Sequence, residues 1–143
     1  MIYTKKTKIA MKLAYEKHHG QVDKSGLPYI HHPLHLAEQM NTEEACIVAL
    51  LHDVIEDTNT TFEDLEAFSF GEEIIDALKL LTRNKDEDYF AYVERISKNP
   101  IAKQVKIADL MHNSDPTRLS QIYETDRKRL EKYNKALQIL QGV

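Results

Sequence analysis

The chain has 143 residues, of which 42% are hydrophobic and 29% charged, a composition typical of one globular domain. Its net charge of −4 and pI of about 6.0 exclude a strongly basic surface, so we expect no DNA or RNA duplex as a partner. It contains no run of 18 apolar residues, no apolar leader segment, and one cysteine, Cys46, with apolar neighbours. We therefore expect a cytoplasmic protein without a membrane span or an intrachain disulfide, and with Cys46 buried.

Strong helix formers dominate and alternating strand patterns are scarce, so the sequence predicts an all-α fold. A first helix is expected from about Thr4 to His19, ended by Gly20. A second is expected over "PLHLAEQM", with Pro33 in its first turn and His32 at its cap. Thr42 is expected to cap a third helix that runs through "EEACIVALLHDVIED".

The second half of the chain continues the helical pattern. Thr61 is expected to cap another helix, with Asp64 three residues later. Further helices are expected over residues 72–82, 87–98, 101–113 and 126–141. The last of these is amphipathic and is expected to pack on the body of the protein. With no long linker and no internal repeat, the pattern indicates a compact single-domain bundle of about seven or eight helices over residues 1–143.

Four ionisable side chains interrupt the apolar stretch "LLHDVIEDT" at residues 50–58. Because unpaired charges are costly to bury, such groups are normally ion-paired, hydrogen-bonded or bound to a metal. Glu56 lies four residues after His52, and Asp57 lies four residues after Asp53. At this spacing, one helix could present the histidine, its neighbour and one or both later acids to a common pocket.

Two other segments carry residues of the same types. "YIHHP" contains His31 and His32, and "VKIADLMHN" places Asp109 in an apolar stretch that continues to His112 and Asn113. A mixed set of imidazoles and carboxylates suits a divalent ion such as manganese, iron, cobalt, nickel or zinc. With open coordination positions, such an ion can activate water; without them, it only stabilises the fold.

Each segment also has an ordinary structural interpretation. The His52–Asp53 pair could be a helix cap or a surface pair, and Asp109 could be a buried acid paired with Lys106. The acids at the end of "LLHDVIEDT" could belong to a solvated helix terminus. Spacing by itself therefore supports a metal site as one hypothesis among these.

Four segments together resemble a known family: "HHGQVDKSGLPYIHHPLHLA", "ALLHDVIEDT", "FGEEI" and "VKIADLMHN". In order and spacing, they are similar to the hydrolase domain of RelA/SpoT-type enzymes, within the HD superfamily of metal-dependent phosphohydrolases. Those enzymes remove the 3′-pyrophosphate of guanosine tetraphosphate, (p)ppGpp. The resemblance covers roughly residues 7–119 and implies a helical HD-type fold. Because no synthetase-like or regulatory segment accompanies it, it also implies a small stand-alone form.

The resemblance also implies roles for individual residues. His32, which precedes the proline, would bind the metal together with His52, Asp53 and Asp109, and the ion is typically manganese. In this interpretation, the neighbouring histidine at position 31 has no ligand role.

The remaining site residues follow from the same resemblance. Glu56 and Asp57 match the acidic pair that orients or deprotonates the attacking water. Asn113 matches an asparagine that contacts the substrate, and Lys24 lies in the loop that meets the nucleotide and its phosphates. The partner implied is therefore a phosphorylated nucleotide, while the oligomeric state stays open.

Two positions depart from the family pattern. Asp23 replaces an arginine that stacks on guanine, and Asp115 stands where the family has a second arginine. Both changes remove positive charge near an anionic substrate, for which Arg83, Lys103 or Arg118 could compensate.

The function expected from these observations is a metal-dependent phosphohydrolase, with (p)ppGpp 3′-pyrophosphohydrolase activity favoured. The departures keep open a related HD-type nucleotidase or phosphatase that acts on NADPH or a (d)NMP. A non-catalytic nucleotide-binding module and a purely structural metal site are further alternatives. Both are disfavoured, because the acidic pair is present in addition to the four expected ligands.

Overall fold

The computed structural model describes residues 1–142, and these form nine α-helices and one 3-10 turn. The α-helices are α1 Lys5–Lys17, α2 His31–Glu38, α3 Glu43–Leu51, α4 Val54–Asp57, α5 Phe62–Glu66, α6 Glu72–Leu81, α7 Tyr89–Ile96, α8 Pro100–Asn113 and α9 Glu124–Gln141. The 3-10 turn covers Pro116–Arg118. The described residues contain no β-strand beyond one isolated bridge between Val22 and Pro28, so the predicted all-α class is confirmed.

Helix α3 lies at the centre of the fold. Residues 45–51 are apolar on all sides and completely buried, as expected for a helix that other helices surround. Helices α1, α2, α6 and α8 pack against it and form the core with it. Cys46 is buried in this core, as predicted, and the Thr42 hydroxyl caps α3 by accepting a hydrogen bond from the Ala45 N–H.

The predicted continuous helix over residues 43–57 is wrong, because the chain bends at His52 and Asp53 between α3 and α4. His52 Nδ1 donates to the Ala49 carbonyl at 2.7 Å. In a continuous helix, that carbonyl would accept the N–H of residue 53. The His52 side chain thus occupies the Ala49 carbonyl, which the backbone N–H of Asp53 would need to continue the helix. The resulting bend places His52 and Asp53 between α3 and α4.

The start of α2 also differs from the prediction. The helix begins at His31 after Ile30, so His32 lies in its first turn and not at its cap. Pro33 is compatible with any position in the first turn, so it does not define the starting residue. One consequence is a separation of the two histidines, because His31 is exposed whereas His32 is buried.

Side-chain caps set other helix starts. Thr61 and Asp64 form the predicted capping box at α5, with mutual hydrogen bonds of 2.9 and 3.1 Å. At α7, Asp88 accepts the Ala91 N–H at 3.0 Å, so the helix begins at Tyr89, two residues later than predicted.

The last helix, α9, packs against α7 and α8 and buries Ala136 and Leu140, as its amphipathic pattern predicts. Its first turns carry Asp126 and Arg129 to the loop between α1 and α2. Across residues 1–142, none of the helices combines the length and the hydrophobicity that a bilayer span requires.

Leu50→Ala tests the central position of α3. Leu50 is completely buried, and truncating it removes the free energy gained by burying its side chain and leaves a cavity. We expect the free energy of unfolding, measured by urea denaturation, to fall by about 2–5 kcal/mol. Leu27→Ala is the matched control, because Leu27 is 55% exposed. Equal effects of the two substitutions would contradict a core built around α3.

Candidate metal centre

Four side chains from three separate segments meet at the bend. They are His32 from α2, His52 and Asp53 from the bend itself, and Asp109 from α8, and one ligand atom of each lies within 4.8 Å of the others. His32 Nε2 lies 2.8 Å from Asp109 Oδ1, and His52 Nε2 lies 2.9 Å from Asp53 Oδ2. The fold therefore brings together the four residues that the sequence pointed to as a group.

The cluster is closed on most sides and open on one. The side chains of His32, His52 and Asp109 are 2%, 4% and 8% exposed, whereas that of Asp53 is 22% exposed. A structural metal site is normally closed by four protein ligands, and a catalytic site keeps a position for water or substrate. The exposure of Asp53 gives this cluster a solvent-facing side.

His52 tests whether a cation fits here. Because its Nδ1–H donates to the Ala49 carbonyl, its Nε2 faces the cluster. That Nε2 is buried and has no hydrogen-bond partner among the described residues, although Asp53 Oδ2 lies only 2.9 Å away. A buried nitrogen without a partner is unfavourable, and a divalent ion shared with the carboxylates would satisfy it. The donor set, imidazole nitrogens with carboxylate oxygens, fits such an ion.

Burial opposes charge on Asp109, Asp53 and His52, but neighbouring opposite charges outweigh its effect on their pKa values. Burial raises the pKa of Asp109, whereas Lys106, His32 and His52 bring it well below its usual value. Burial likewise raises the pKa of Asp53, but the opposing effect of His52 is larger, so the pKa lies below its usual value. Burial lowers the pKa of His52, whereas Asp53 and Asp109 bring it well above 6.5. A divalent ion bound here would compete with a proton for Nε2 of His52, because a histidine ligand must be deprotonated.

Two supporting side chains were missed from the sequence. The Tyr29 hydroxyl donates to Asp53 Oδ2, and burial followed by the Asp53 charge raises the pKa of Tyr29, so it keeps its proton. His112 Nδ1 lies 2.7 Å from Nδ1 of His32, and the two rings stack 5.0 Å apart. Burial and then Arg118 lower the pKa of His112 to about 4, so it is neutral near pH 7. His112 follows Asp109 by three residues, as His32 follows Tyr29, but the Tyr29 hydroxyl binds Asp53, 24 positions away, and spacing gave no signal for that contact.

Asp109 has further partners on its own helix. Lys106 Nζ donates to its Oδ2 at 3.0 Å, and Asn113 Nδ2 donates to its Oδ1 at 3.0 Å. The predicted alternative of a buried Asp109–Lys106 pair is thus present together with the four-residue cluster. Asn113, a predicted substrate contact, is exposed and lies beside the cluster.

Glu56 is exposed and lies on α4, three residues after Asp53. Its Oε1 accepts the backbone N–H of Arg83 at 2.5 Å. The turn that supplies this N–H is held in place, because the Arg83 guanidinium donates to the Glu87 carbonyl and the Glu87 carboxylate pairs with Arg95 at 2.7 Å. One carboxylate oxygen of Glu56 is therefore anchored, and the other is available to a water molecule.

Asp57 follows Glu56 and is exposed as a residue, but its carboxyl group is partly desolvated. That desolvation, followed by the charges of Asp53 and Glu56, raises the pKa of Asp57 to about 6. The Gln21 side-chain amide donates to the Asp57 carbonyl at 3.0 Å and ties α4 to the loop after α1. A nearby cation would favour the ionised form of this acid.

A cavity of about 330 Å³ opens beside the cluster, within the size range of small-molecule sites. It touches the cluster through Tyr29 and Asn113, which bind Asp53 and Asp109. Lys24, the other predicted substrate contact, also lines the cavity, and its side chain is 54% exposed. Both predicted substrate residues thus line a cavity next to the predicted metal ligands, whereas Glu56 and Asp57 are not among its lining residues.

The family model described as the HD domain matches residues 10–129. The chain belongs to the HD domain family. The predicted family resemblance is therefore confirmed, and the cluster of histidines and aspartates lies within the matched HD region.

Curated relatives share this HD region. The chain is 38% identical over 119 residues to guanosine-3′,5′-bis(diphosphate) 3′-pyrophosphohydrolase of Spiroplasma citri, covering 73% of this chain and 16% of that protein. It is 35% identical over 118 residues to the enzyme of the same name, MESH1, from Danio rerio, covering 72% of this chain and 64% of MESH1. The chain thus spans less than two thirds of the length of either relative.

A solved structure shares the fold with a TM-score of 0.81, at 24% identity over 99% of this chain and 89% of the other. That structure is of a metazoan ortholog of SpoT that hydrolyzes ppGpp and plays a role in starvation responses. The agreement over nearly the whole chain supports the helical arrangement described above.

Proposed function

We propose that this chain is a metal-dependent phosphohydrolase that removes the 3′-pyrophosphate of guanosine-3′,5′-bis(diphosphate), ppGpp. The observation that carries the proposal is the convergence of His32, His52, Asp53 and Asp109 beside an open cavity. The names of the relatives from Spiroplasma citri and Danio rerio support the choice of substrate.

The four clustered residues would hold one divalent ion, which their mixed nitrogen and oxygen donors suit, and we propose Mn²⁺ because it is the typical ion of the RelA/SpoT-type hydrolases that the sequence resembles. When bound, such an ion supplies charge that lowers the pKa of water and polarises a phosphoryl oxygen. With Nε2 of His32 on the ion, its Nδ1–H would donate to the neutral His112, which fixes the orientation of the ring. Tyr29 would orient Asp53 in the same way.

Glu56 and Asp57 would handle the water that attacks phosphorus. The anchored carboxylate of Glu56 can orient that water and accept its proton, with Asp57 beside it as a second acceptor. The P–O bond to the departing nucleotide breaks as the new P–O bond forms, without a covalent enzyme intermediate. Lys24 and Asn113 would contact the substrate from the cavity, where the lysine offsets charge on the phosphates.

We also propose that residues 1–143 act as a single HD domain in the cytoplasm. The apolar residues of the helices form one contiguous core, which supports a single domain. The lone, buried Cys46 is consistent with a reducing compartment.

The test is hydrolysis of a nucleotide panel by purified protein with Mn²⁺, beside the same protein with excess EDTA. We expect pyrophosphate release from ppGpp that depends on Mn²⁺. NADPH and dNMPs are the comparison substrates. Metal-dependent release of orthophosphate from one of these, with no reaction on ppGpp, would contradict the alarmone assignment while keeping the phosphohydrolase class.

One observation favours that second function, a nucleotidase for another phosphorylated nucleotide. The carboxylates of Asp23 and Asp115 both stand at the cavity wall, where they oppose a highly anionic substrate. A substrate with fewer phosphates, such as a (d)NMP, would meet less repulsion there.

A further inference from the structure

The cavity wall carries three cationic side chains, Lys24, Arg118 and Arg129. Two of them are bound to the same carboxylate, because Lys24 Nζ and Arg129 Nη1 lie 3.3 and 3.1 Å from Asp126 Oδ1. Asp126 is 5% exposed and also accepts the Tyr123 N–H, so it is a fixed, buried partner for both cations. The positive charges of Lys24 and Arg129 at the cavity wall are therefore already paired with Asp126.

Arg118 is held differently. Its Nη1 donates to the His112 carbonyl at 3.0 Å and to Asn113 Oδ1 at 3.2 Å, which fixes the guanidinium plane. Its nearest carboxylate is Asp23, at 3.8 Å from Nη2, a distance without a hydrogen bond. Asp115, although close in sequence, binds the backbone and hydroxyl of Thr117 instead.

The donors on Nη2 and Nε of Arg118 have no hydrogen-bond partner within residues 1–142, although the side chain is only 24% exposed. Nε and Nη2 form one edge of the guanidinium, and a preoriented guanidinium with a free edge can bind phosphate specifically, through two parallel hydrogen bonds. Arg118 is therefore suited to bind an anionic group in the cavity.

The position of Arg118 relates that anion to the metal cluster. Asn113 accepts from Arg118 with its Oδ1 and donates to Asp109 with its Nδ2, so two hydrogen bonds join the guanidinium to a cluster carboxylate. A ligand that reaches both places carries one phosphate group at the cluster and another at Arg118. Nucleotides phosphorylated at two separate positions have this property, whereas simple monophosphates do not.

We propose that Arg118 binds the second diphosphate group of a doubly phosphorylated nucleotide, and that Asp23 competes for the same guanidinium in the free protein. Asp23 and Arg118 then determine how tightly the cavity binds the diphosphate group that does not contact the metal cluster. The inference rests on the proposed function for the identity of the substrate, whereas the binding of a 5′-diphosphate can be measured without turnover.

Calorimetric binding of GDP and of guanosine to the Mn²⁺-loaded full chain tests this proposal. We expect wild-type protein to bind GDP more tightly than guanosine. Arg118→Gln should weaken GDP binding by about 10- to 100-fold, the usual effect of losing hydrogen bonds to a charged group, and leave guanosine binding unchanged. Arg127→Gln, on the exposed face of α9, is the matched control and should bind both ligands as wild type does.

Asp23→Asn supplies a test of opposite sign. The carboxylate Oδ1 of Asp23 accepts the N–H groups of Ser25 and Leu27 at 2.8 and 3.0 Å, and an asparagine oxygen can keep both bonds. Only the charge facing Arg118 is lost, so GDP should bind more tightly, by about two- to fivefold, as expected for removal of a partly exposed ion pair. A merely structural role of this pair would not produce tighter binding.

Three results would overturn the proposal: no preference of wild type for GDP over guanosine, unchanged GDP binding by Arg118→Gln, or weaker GDP binding by Asp23→Asn. Failure of the proposed function is a separate result, since it would appear as absence of ppGpp hydrolysis by wild-type protein in the turnover assay. GDP binding that follows the expected order would support Arg118 as the second phosphate site.

Discussion

Asp53→Asn should abolish both Mn²⁺ binding and phosphohydrolase turnover. Asp53 is the cluster member at the open side, so it would contact the ion where substrate and water approach. The asparagine still accepts the Tyr29 hydroxyl, but it lacks the charge that a divalent ion needs. We expect turnover to fall by at least about a hundredfold, since even changes around a metal ligand cost 10- to 100-fold. His52→Ala should lose the metal in the same way.

Metal content by plasma emission spectroscopy and thermal unfolding with and without Mn²⁺ provide readouts besides activity. Wild type should gain about 2.7 kcal/mol of stability at a Mn²⁺ concentration of 100 times its Kd, and Asp53→Asn should gain none. Asp76→Asn is the matched control, because Asp76 is exposed on α6 away from the cluster. Full activity of Asp53→Asn without bound metal would rule out the metal-dependent mechanism.

Glu56→Gln should retain the metal but lose most turnover. The glutamine oxygen can still accept the Arg83 N–H, so the position of α4 is preserved. It cannot accept a proton from water, and loss of a general base lowers kcat by about 10²- to 10⁴-fold. The measurements are metal content and kcat for ppGpp, or for whichever nucleotide in the panel wild type hydrolyses.

Glu66→Gln, an exposed substitution at the end of α5, controls for the loss of one surface charge and should leave kcat unchanged. Normal turnover by Glu56→Gln would show that another group, with Asp57 the first to examine, accepts the proton. Loss of metal together with activity would instead make Glu56 a ligand. The two discussed variants are therefore distinguished by metal content, although both are expected to lose activity.

The fold class and most helices could be predicted from the sequence because they depend on interactions between nearby residues. Thr42 and Thr61 cap helices through hydrogen bonds to residues three positions later, and such pairs can be recognised from spacing. The bend at His52 and Asp53 could not be predicted, since residues 43–57 contain no glycine or proline and their spacing is that of one continuous helix. The hydrogen bond from His52 to the Ala49 carbonyl competes with the backbone there, and spacing does not show which donor wins.

The sequence by itself determined which residue types are available for chemistry: two histidines and two aspartates in three motifs, with an acidic pair after the second motif. Their order and spacing were sufficient to indicate the HD family. The choice between His31 and His32 depended on that resemblance, and the burial of His32 against Asp109 agrees with it.

Only the tertiary structure decided how these residues are supported and what faces the substrate cavity. Tyr29 reaches Asp53 across 24 positions, His112 reaches His32 across 80, and Lys24 reaches Asp126 across 102. Contacts at such separations depend on how α2, α8 and α9 pack around α3, and helical periodicity contains no information about that packing. The loss of positive charge at position 23 could be predicted from the sequence. The position of Asp23 beside Arg118 could not, because it depends on how the loop after α1 packs against the turn after α8.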